Sequence, residues 1–377
     1  MRSLSAPSRR WVAPAAVVLA VGVVAGGTAI SASAAPDLPA RTAAQLLVDL
    51  QNPRVDGVSG TVVENADLGL PAIPMPGGGQ GSSDLSSLIS GSHTLRVWYD
   101  GPERVRIALL GTLGESDVIR NGSDLWTWSS RDNSATHRVL PDMHRSDAPM
   151  TEVPLTPQQA AEQALAALDP STAVSTDGTA RVAGRDAYEL VLAPRDGRSL
   201  VGQIRIAIDA ETHLPLRVRT IARGASSPAF EVGFTHVSFE RPDANQFRFS
   251  PPPGVSITMG DSERAEHRGP AGAHPEPGLV GDHPDRAGAE PTTVGSGWTQ
   301  VAVFRGTSPI SALTGSASGN RQGELAGVLA GLPQVSGDWG SGKLLRTALF
   351  TALLTDDGRV LVGPVGPELV YQAAAHR

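Results

Sequence analysis

Ala183-Gly-Arg-Asp-Ala-Tyr-Glu-Leu-Val-Leu192, followed by Ile208-Asp-Ala-Glu-Thr-His-Leu-Pro-Leu-Arg217, is the stretch whose pattern decides the fold. Tyr188, Leu190 and Leu192 alternate with polar or small residues, and so do Ile204, Ile206 and Ile208. A period of two gives a strand with one buried and one wet face. Working outward, Phe230, Val232 and Phe234 repeat the pattern, then Phe247 and Phe249, before Pro251-Pro252-Pro253 closes the region. On the N-terminal side Leu95, Val97 and Tyr99 share one parity. Val105, Ile107 and Leu109 share another after the turn at Asp100-Gly101-Pro102. Asn121-Gly122 is a hairpin signal, and Trp126 and Trp128 fall on one face of the strand that follows it. Turns recurring about every ten residues predict an antiparallel meander.

Few helices interrupt it. Thr42-Ala43-Ala44-Gln45 is a capping box, and Leu46, Leu47 and Leu50 follow at helical spacing until Pro53, so a helix is expected over about 43–51. Thr156-Pro157-Gln158-Gln159 opens a second helix with the stripe Ala160, Ala161, Ala164, Leu165 and Leu168. Residues 71–92 are rich in Gly, Pro and Ser, yet carry Leu85, Leu88 and Ile89. A solvated loop has little use for these three. They either dock on the body or act as a lid.

The first 34 residues read as an export signal. Arg2, Arg9 and Arg10 precede an apolar run from Trp11 to Ile30, and Ala32-Ser33-Ala34 gives the small-x-small cleavage pattern. The alternative is an uncleaved membrane anchor, which Pro14 and the glycines of the run weaken. The expected organisation is therefore a signal peptide 1–34, a body 36–253, a disordered linker 254–297 and a small α+β C-terminal segment 298–377. Within the linker, 260–297 is almost devoid of apolar residues. Asp356-Asp357-Gly358 marks a turn in the last segment, and Pro367 starts a short helix.

Composition excludes several classes. The chain holds no cysteine, which removes disulfides, thiolate metal sites and cysteine nucleophiles. A formal charge of −7 argues against a general nucleic-acid binder. The 42 glycines and 30 prolines follow no Gly-X-Y period, so collagen is out. Gly337 to Lys343 matches seven positions of a phosphate loop, but Leu344 stands where the magnesium-binding hydroxyl belongs, and the stretch is read as a turn. His267, His274 and His283 lie in the linker without a rigid frame, so no metal site is assigned. No nucleophile elbow and no His-Glu-x-x-His occurs. A non-enzymatic protein without cofactors is expected.

Two segments carry a family resemblance. One runs from Ser92-His-Thr-Leu-Arg-Val-Trp-Tyr-Asp-Gly101 through Asp124-Leu-Trp-Thr-Trp-Ser-Ser130. The other joins Ala183–Leu192, Ile208–Arg217 and Phe247-Arg-Phe-Ser-Pro-Pro-Pro253. Over roughly 40–255 the chain resembles exported LolA-like proteins of the LolA/LolB/RseB/LppX superfamily. The resemblance implies an α+β, mainly antiparallel β fold: a half-open β-barrel of about eleven strands with plugging helices. It implies no catalytic residues and a concave apolar cavity for acyl chains of lipids or lipoproteins. Carried onto matching strand positions, the expected cavity residues are Leu95, Val97, Trp126, Trp128, Tyr188, Leu190, Phe230 and Val232, with Leu85, Leu88 and Ile89 as the lid. The first reading is an exported carrier or chaperone. The second is a sensor like RseB/MucB, whose C-terminal segment would meet an anti-sigma factor or another membrane protein. The long linker and tail depart from the plain carrier pattern.

Overall fold

The computed structural model describes residues 36–70, 82–83, 87–88, 90–112, 114–140, 169–260, 292–305 and 331–376. The expected export signal, the helix opening at Thr156, Leu85, Ile89 and the linker histidines lie outside the described residues.

A large sheet is built on one central strand, β1 (Val58–Ala66), which pairs on one side with β2 and on the other with β11. From β2 a meander runs through β2 (Gly91–Tyr99), β3 (Arg104–Leu110), β4 (Glu115–Asn121), β5 (Asp124–Ser129) and β6 (Ser134–Val139). A second runs through β7 (Thr172–Val182), β8 (Arg185–Pro194), β9 (Val201–Asp209), β10 (Pro215–Ala222) and β11 (Pro228–Ser238). The turns explain the hairpins. Between β4 and β5 the two-residue loop begins with Gly122 at φ 66°, and between β7 and β8 Ala183 and Gly184 both take positive φ, 51° and 77°. Positive φ at both central residues gives a turn whose twist matches that of the flanking strands.

The sheet has twelve strands and stays open, with β7 at one edge and β12 (Ser256–Met259) at the other. The mainly antiparallel α+β expectation holds. The strand β12 pairs with β6 in parallel, the exception in this sheet. It also corrects the boundary placed at 253: the sheet runs on through the first residues of the segment read as linker. The far end of that segment carries structure too, because β13 (Thr292–Val294) belongs to a second sheet.

The helix α1 (Ala43–Gln51) starts with the expected capping box, Thr42 accepting from Gln45 N at 3.2 Å and the Gln45 side chain accepting from Thr42 N at 2.9 Å. Its Leu46 and Leu47 pack on Tyr188, Leu190 and Ile208. The second sheet has six strands, in the order β13, β14 (Val301–Phe304), β18 (Val360–Gly363), β17 (Thr351–Thr355), β16 (Gly340–Arg346) and β15 (Gln334–Gly337). The helix α2 (Pro367–Ala375) buries Val370, Ala373 and Ala374 against Val301, Leu353 and Leu361 of that sheet. Gly337 pairs with Gly340 across a tight hairpin, so the phosphate-loop lookalike is a turn, as read from the sequence. The two sheets are joined by Leu200 N donating to Pro364 O at 2.7 Å, a bridge between Ser199 and Val365, and Trp298 Nε1 donating to Thr172 Oγ1 at 2.7 Å.

Leu190 is fully buried under α1. Truncating it removes transfer energy and leaves a cavity, which together cost about 2–5 kcal/mol. Leu190→Ala is therefore expected to lower the unfolding free energy by that amount in denaturant titration, with the far-ultraviolet spectrum of the folded protein unchanged.

Candidate functional site

Directly opposed residues of paired strands project to the same face of a sheet, so the register decides which expected cavity residues meet. Leu95 opposes Val62 on one side and Leu109 on the other. Glu64 opposes Val232, Val232 opposes Val218, Val218 opposes Ile206, and Ile206 opposes Leu190. Leu95, Val97, Tyr188, Leu190, Phe230 and Val232 therefore share one face, the face that carries α1. Around Val62, Val97 and Val232 this face is finished by Ile107, Val218, Phe230 and Phe234, which are only half-buried.

Trp126 and Trp128 are on the other face. Val97 opposes Ile107, Ile107 opposes Val118, and Val118 opposes Thr127, so the tryptophans on either side of Thr127 point away from Leu95 and Val97. Trp126 stacks on His137 with ring centroids 4.2 Å apart and lies 4.9 Å from Phe249. Phe249 also meets Trp128 at 6.3 Å. This is an aromatic core beneath the segment after β11. Placing the two tryptophans in the same cavity as the other six is corrected by the register.

Of the lid residues, Leu88 is described, and it packs on Leu95 and Leu109. His93 fastens the same segment. Its Nε2 lies 2.7 Å from Ser87 O and 3.0 Å from Ser90 O, so that nitrogen carries the hydrogen and donates to these carbonyls. Nδ1 faces Ser87 Oγ at 3.4 Å. Docking, the first of the two alternatives for this segment, describes Leu88.

Next to His93 on the same face stands a residue that the sequence reading misses. Glu64 opposes His93 across β1 and β2 and Val232 across β1 and β11. It is 0% exposed, and neither carboxyl oxygen has a hydrogen-bond partner among the described residues. Burial pushes its pKa up to about 8, so it is neutral at neutral pH. Ala66, the next residue on this face, lines a cavity of about 420 Å³ together with Asn65, Asp67, Leu68, Ser90 and Ser92. The opposite face handles charge differently. There Glu189 accepts from Arg205 at 3.0 Å, Arg217 at 3.1 Å and Arg219 at 2.6 Å. Among the described residues no group of three or more His, Asp and Glu is arranged to hold a metal.

Residues 116–241, from β4 through β11, match the family model of the MucB/RseB N-terminal domain. Solved structures similar to the chain include the Pseudomonas aeruginosa MucA/MucB complex, at 16% identity, covering 88% of this chain and 94% of that one with a TM-score of 0.40. An uncharacterized conserved protein from Thermus thermophilus is similar at 10% identity, over 57% of this chain and 95% of that one, with a TM-score of 0.31. A LolA superfamily protein from Nitrosomonas europaea is similar at 12% identity, over 56% of this chain and 99% of that one, with a TM-score of 0.21. A search of curated proteins returns no match.

The unpaired carboxyl of Glu64 has a measurable signature. Glu64 is held above its ordinary value of 4.5 at about 8. The folded state thus favours the proton, and this stability is fully present below pH 4.5 and lost as pH rises through about 8. At 1.36 kcal/mol per unit the loss is on the order of 4 kcal/mol. Glu64→Gln removes this dependence. Denaturant unfolding between pH 5 and pH 8 should show the variant gaining several kcal/mol on the parent chain as pH rises. Parallel stability profiles would mean that the carboxyl is not buried unpaired.

Proposed function

We propose that this is an exported, non-enzymatic protein that binds acyl chains of lipids or lipoproteins on the α1 face of the large sheet. The single observation behind the reading is that face itself: contiguous apolar side chains from β2, β3, β1, β11 and β10, half of them incompletely buried, in a LolA-like sheet. A half-buried Ile107, Val218 or Phe230 contributes only part of its transfer energy to folding. Covering it with an alkyl chain recovers the rest, at about 0.8 kcal/mol for each methylene buried. No polar motif is needed to hold the chain, which agrees with the lack of a recognisable catalytic constellation in the sequence. The export signal read from residues 1–34 and the LolA-like sheet support an extracytoplasmic location. Six of the expected residues belong to this site, and Trp126 and Trp128 leave it.

A second reading, a sensor of the RseB/MucB kind with a protein partner such as an anti-sigma factor, is favoured by one further observation. The C-terminal unit touches the rim of the cavity: Ala348 N donates to Leu68 O at 2.7 Å, and Leu68 lines the cavity. Occupation of the cavity has a direct route to the second sheet through that bond. The match of 116–241 to the MucB/RseB domain fits the same reading. The two readings share the acyl site and differ in the consequence of binding: delivery of the acyl chain in one, a change in a protein partner in the other.

The site is tested with a fluorescently labelled N-palmitoyl peptide, followed by anisotropy. Phe230→Asp puts a carboxylate beside the alkyl chain, which is strongly unfavourable in an apolar environment, and should weaken binding by about tenfold or more. Ile257→Asp, at an exposed position of β12, should leave the affinity unchanged. Equal effects of the two substitutions, or no binding by the parent chain at saturating peptide, would overturn the reading. Mass spectrometry of an organic-solvent extract of the purified protein would then name the natural acyl ligand.

A further inference from the structure

The α1 face contains one group that its apolar character does not explain. Glu64 sits between His93 and Val232, on the parity of Val62 and Ala66, with its carboxyl wholly buried and unpartnered. Buried polar groups are otherwise satisfied in folded proteins, and the exceptions point to a role. We propose that Glu64 recognises the ester or amide carbonyl at the head of an acyl chain, donating the hydrogen of its neutral carboxyl to that carbonyl oxygen. This inference rests on the acyl-binding reading above and specifies its polar contact.

Three features of the surroundings fix the chemistry. First, the charge balance around Glu64 is empty. From β2 the titratable neighbour on this face is His93, from β11 the neighbours are Val232 and Phe230, and the covering segment presents Ser87 and Ser90. Among the described residues no Arg or Lys faces the carboxyl, so none of them holds it ionised. This agrees with its raised pKa. Second, His93 makes no hydrogen bond to it: its Nε2 hydrogen goes to the carbonyls of Ser87 and Ser90, and its Nδ1 faces Ser87 Oγ at 3.4 Å. Third, a cationic head would have to be buried as an ion pair in apolar surroundings, where desolvation outweighs attraction unless further hydrogen bonds are supplied. A neutral carbonyl needs one donor, and the protonated carboxyl has one.

The geometry also gives the ligand its orientation. The cavity at Ala66 lies around the strand ends beyond Glu64 and is lined by polar Asn65, Asp67, Ser90 and Ser92 together with Leu68 and Leu70, a mixed surround that a glycerol or peptide head group fits. The apolar stretch from Val62 to Val97 and Val232 extends from Glu64 along the same face. An acylated ligand thus has its head in the cavity, its carbonyl at Glu64 and its chain on the sheet. Ser87 and Ser90, held by His93, lie beside this point, and the carbonyl reaches the buried acid where these two residues give way.

The test compares two neutral lipids that differ in the carbonyl: dipalmitoylglycerol, and dihexadecylglycerol in which ethers replace the esters. Each is titrated into the full chain from alkyl maltoside micelles, with hexadecylammonium as a cationic control. The parent chain should bind the diester about tenfold more tightly than the diether, the amount one hydrogen bond supplies. Glu64→Leu should abolish that preference and bring the diester affinity down to that of the diether. Glu64→Gln keeps a donor at the position and should keep the preference, which guards against a general effect of substitution. Raising the pH through about 8 ionises the acid, removes the donor and should erase the preference in the parent chain but not in the Gln variant. A diester preference that survives in Glu64→Leu overturns the proposal, as does tighter binding of hexadecylammonium than of the diester. Equal binding of diester and diether by the parent chain overturns the role of Glu64 while the acyl face stands. Binding of neither lipid overturns the acyl-binding reading and this inference with it.

Discussion

The structure depends on one constraint: an unbroken phase of side-chain alternation across the strands of the large sheet. From Leu190 through Ile206, Val218 and Val232 to Glu64, then on through His93, every step is a direct cross-strand pair on the same face. One slipped residue in any strand would exchange its faces. Between β8 and β2 the ladder carries four irregularities, at Thr61/Val62, Pro215/Arg217, Thr220/Ile221 and Ile221/Ala222; each shifts the pairing by one residue, so the alternation along the strand changes phase there while directly opposed residues still share a face. The consequence is a division of labour. Around Val62, Val97 and Val232 the α1 face collects aliphatic side chains, and over β8 to β10 the opposite face collects Arg205, Arg217 and Arg219 around Glu189.

Two glutamates make that division quantitative. Glu189 and Glu64 are both buried, at 4% and 0% exposure. Desolvation acts to raise both. For Glu189 the hydrogen bonds of Arg205 and the charges of Arg219, Arg205 and Arg217 outweigh it, and its pKa falls below the ordinary carboxylate value. It ties β8 to β9 and β10, and removing one partner would strand buried charge. Glu64 has no such company, so desolvation alone sets its pKa and the group stays neutral. The same side chain is therefore an electrostatic clamp on one face and a hydrogen-bond donor in waiting on the other. Only the sign of the cross-strand phase separates the two.

That phase marks the limit of what the sequence makes legible. Within a strand, alternation identifies a face unambiguously, and the parity groups of β2, β3, β8, β9 and β11 read from residues alone match those of the structure. Between strands, the relation of one parity to the next is set by hairpin length and by bulges. The Trp126–Trp128 pair shows the effect: the two do share a face of their strand, yet three hairpins separate β5 from β2, and that face is the opposite one. Glu64 is hidden for a related reason. The apolar pattern of its strand stops at Val63, and a charged residue beyond it reads as solvent-facing. The available signal is its parity, two residues after Val62 and two before Ala66. The short strands β12 and β13 escape because three or four residues in a polar, proline-rich context carry no period.

The second sheet adds a coupling that arises from where the chain must cross. Among the described residues three of its hydrogen bonds to the large sheet lie at strand ends: Leu200 at the start of β9 bonds Pro364, Thr172 at the start of β7 bonds Trp298, and Leu68 just after β1 bonds Ala348. Backbone groups at strand ends have no ladder partner of their own and take one from a neighbouring unit when it is close. Leu68 is at once such an end and part of the cavity wall next to the Glu64 face. A ligand filling that cavity would press on the same backbone that accepts from Ala348. Displacing Leu68 would leave a donor of the second sheet unpaired, a cost of about 1–3 kcal/mol where it is shielded from water. That is enough to change the population of a docked unit several-fold. The strand-end joint would therefore link occupation of that cavity to the C-terminal unit, a link that a sheet without a second unit lacks.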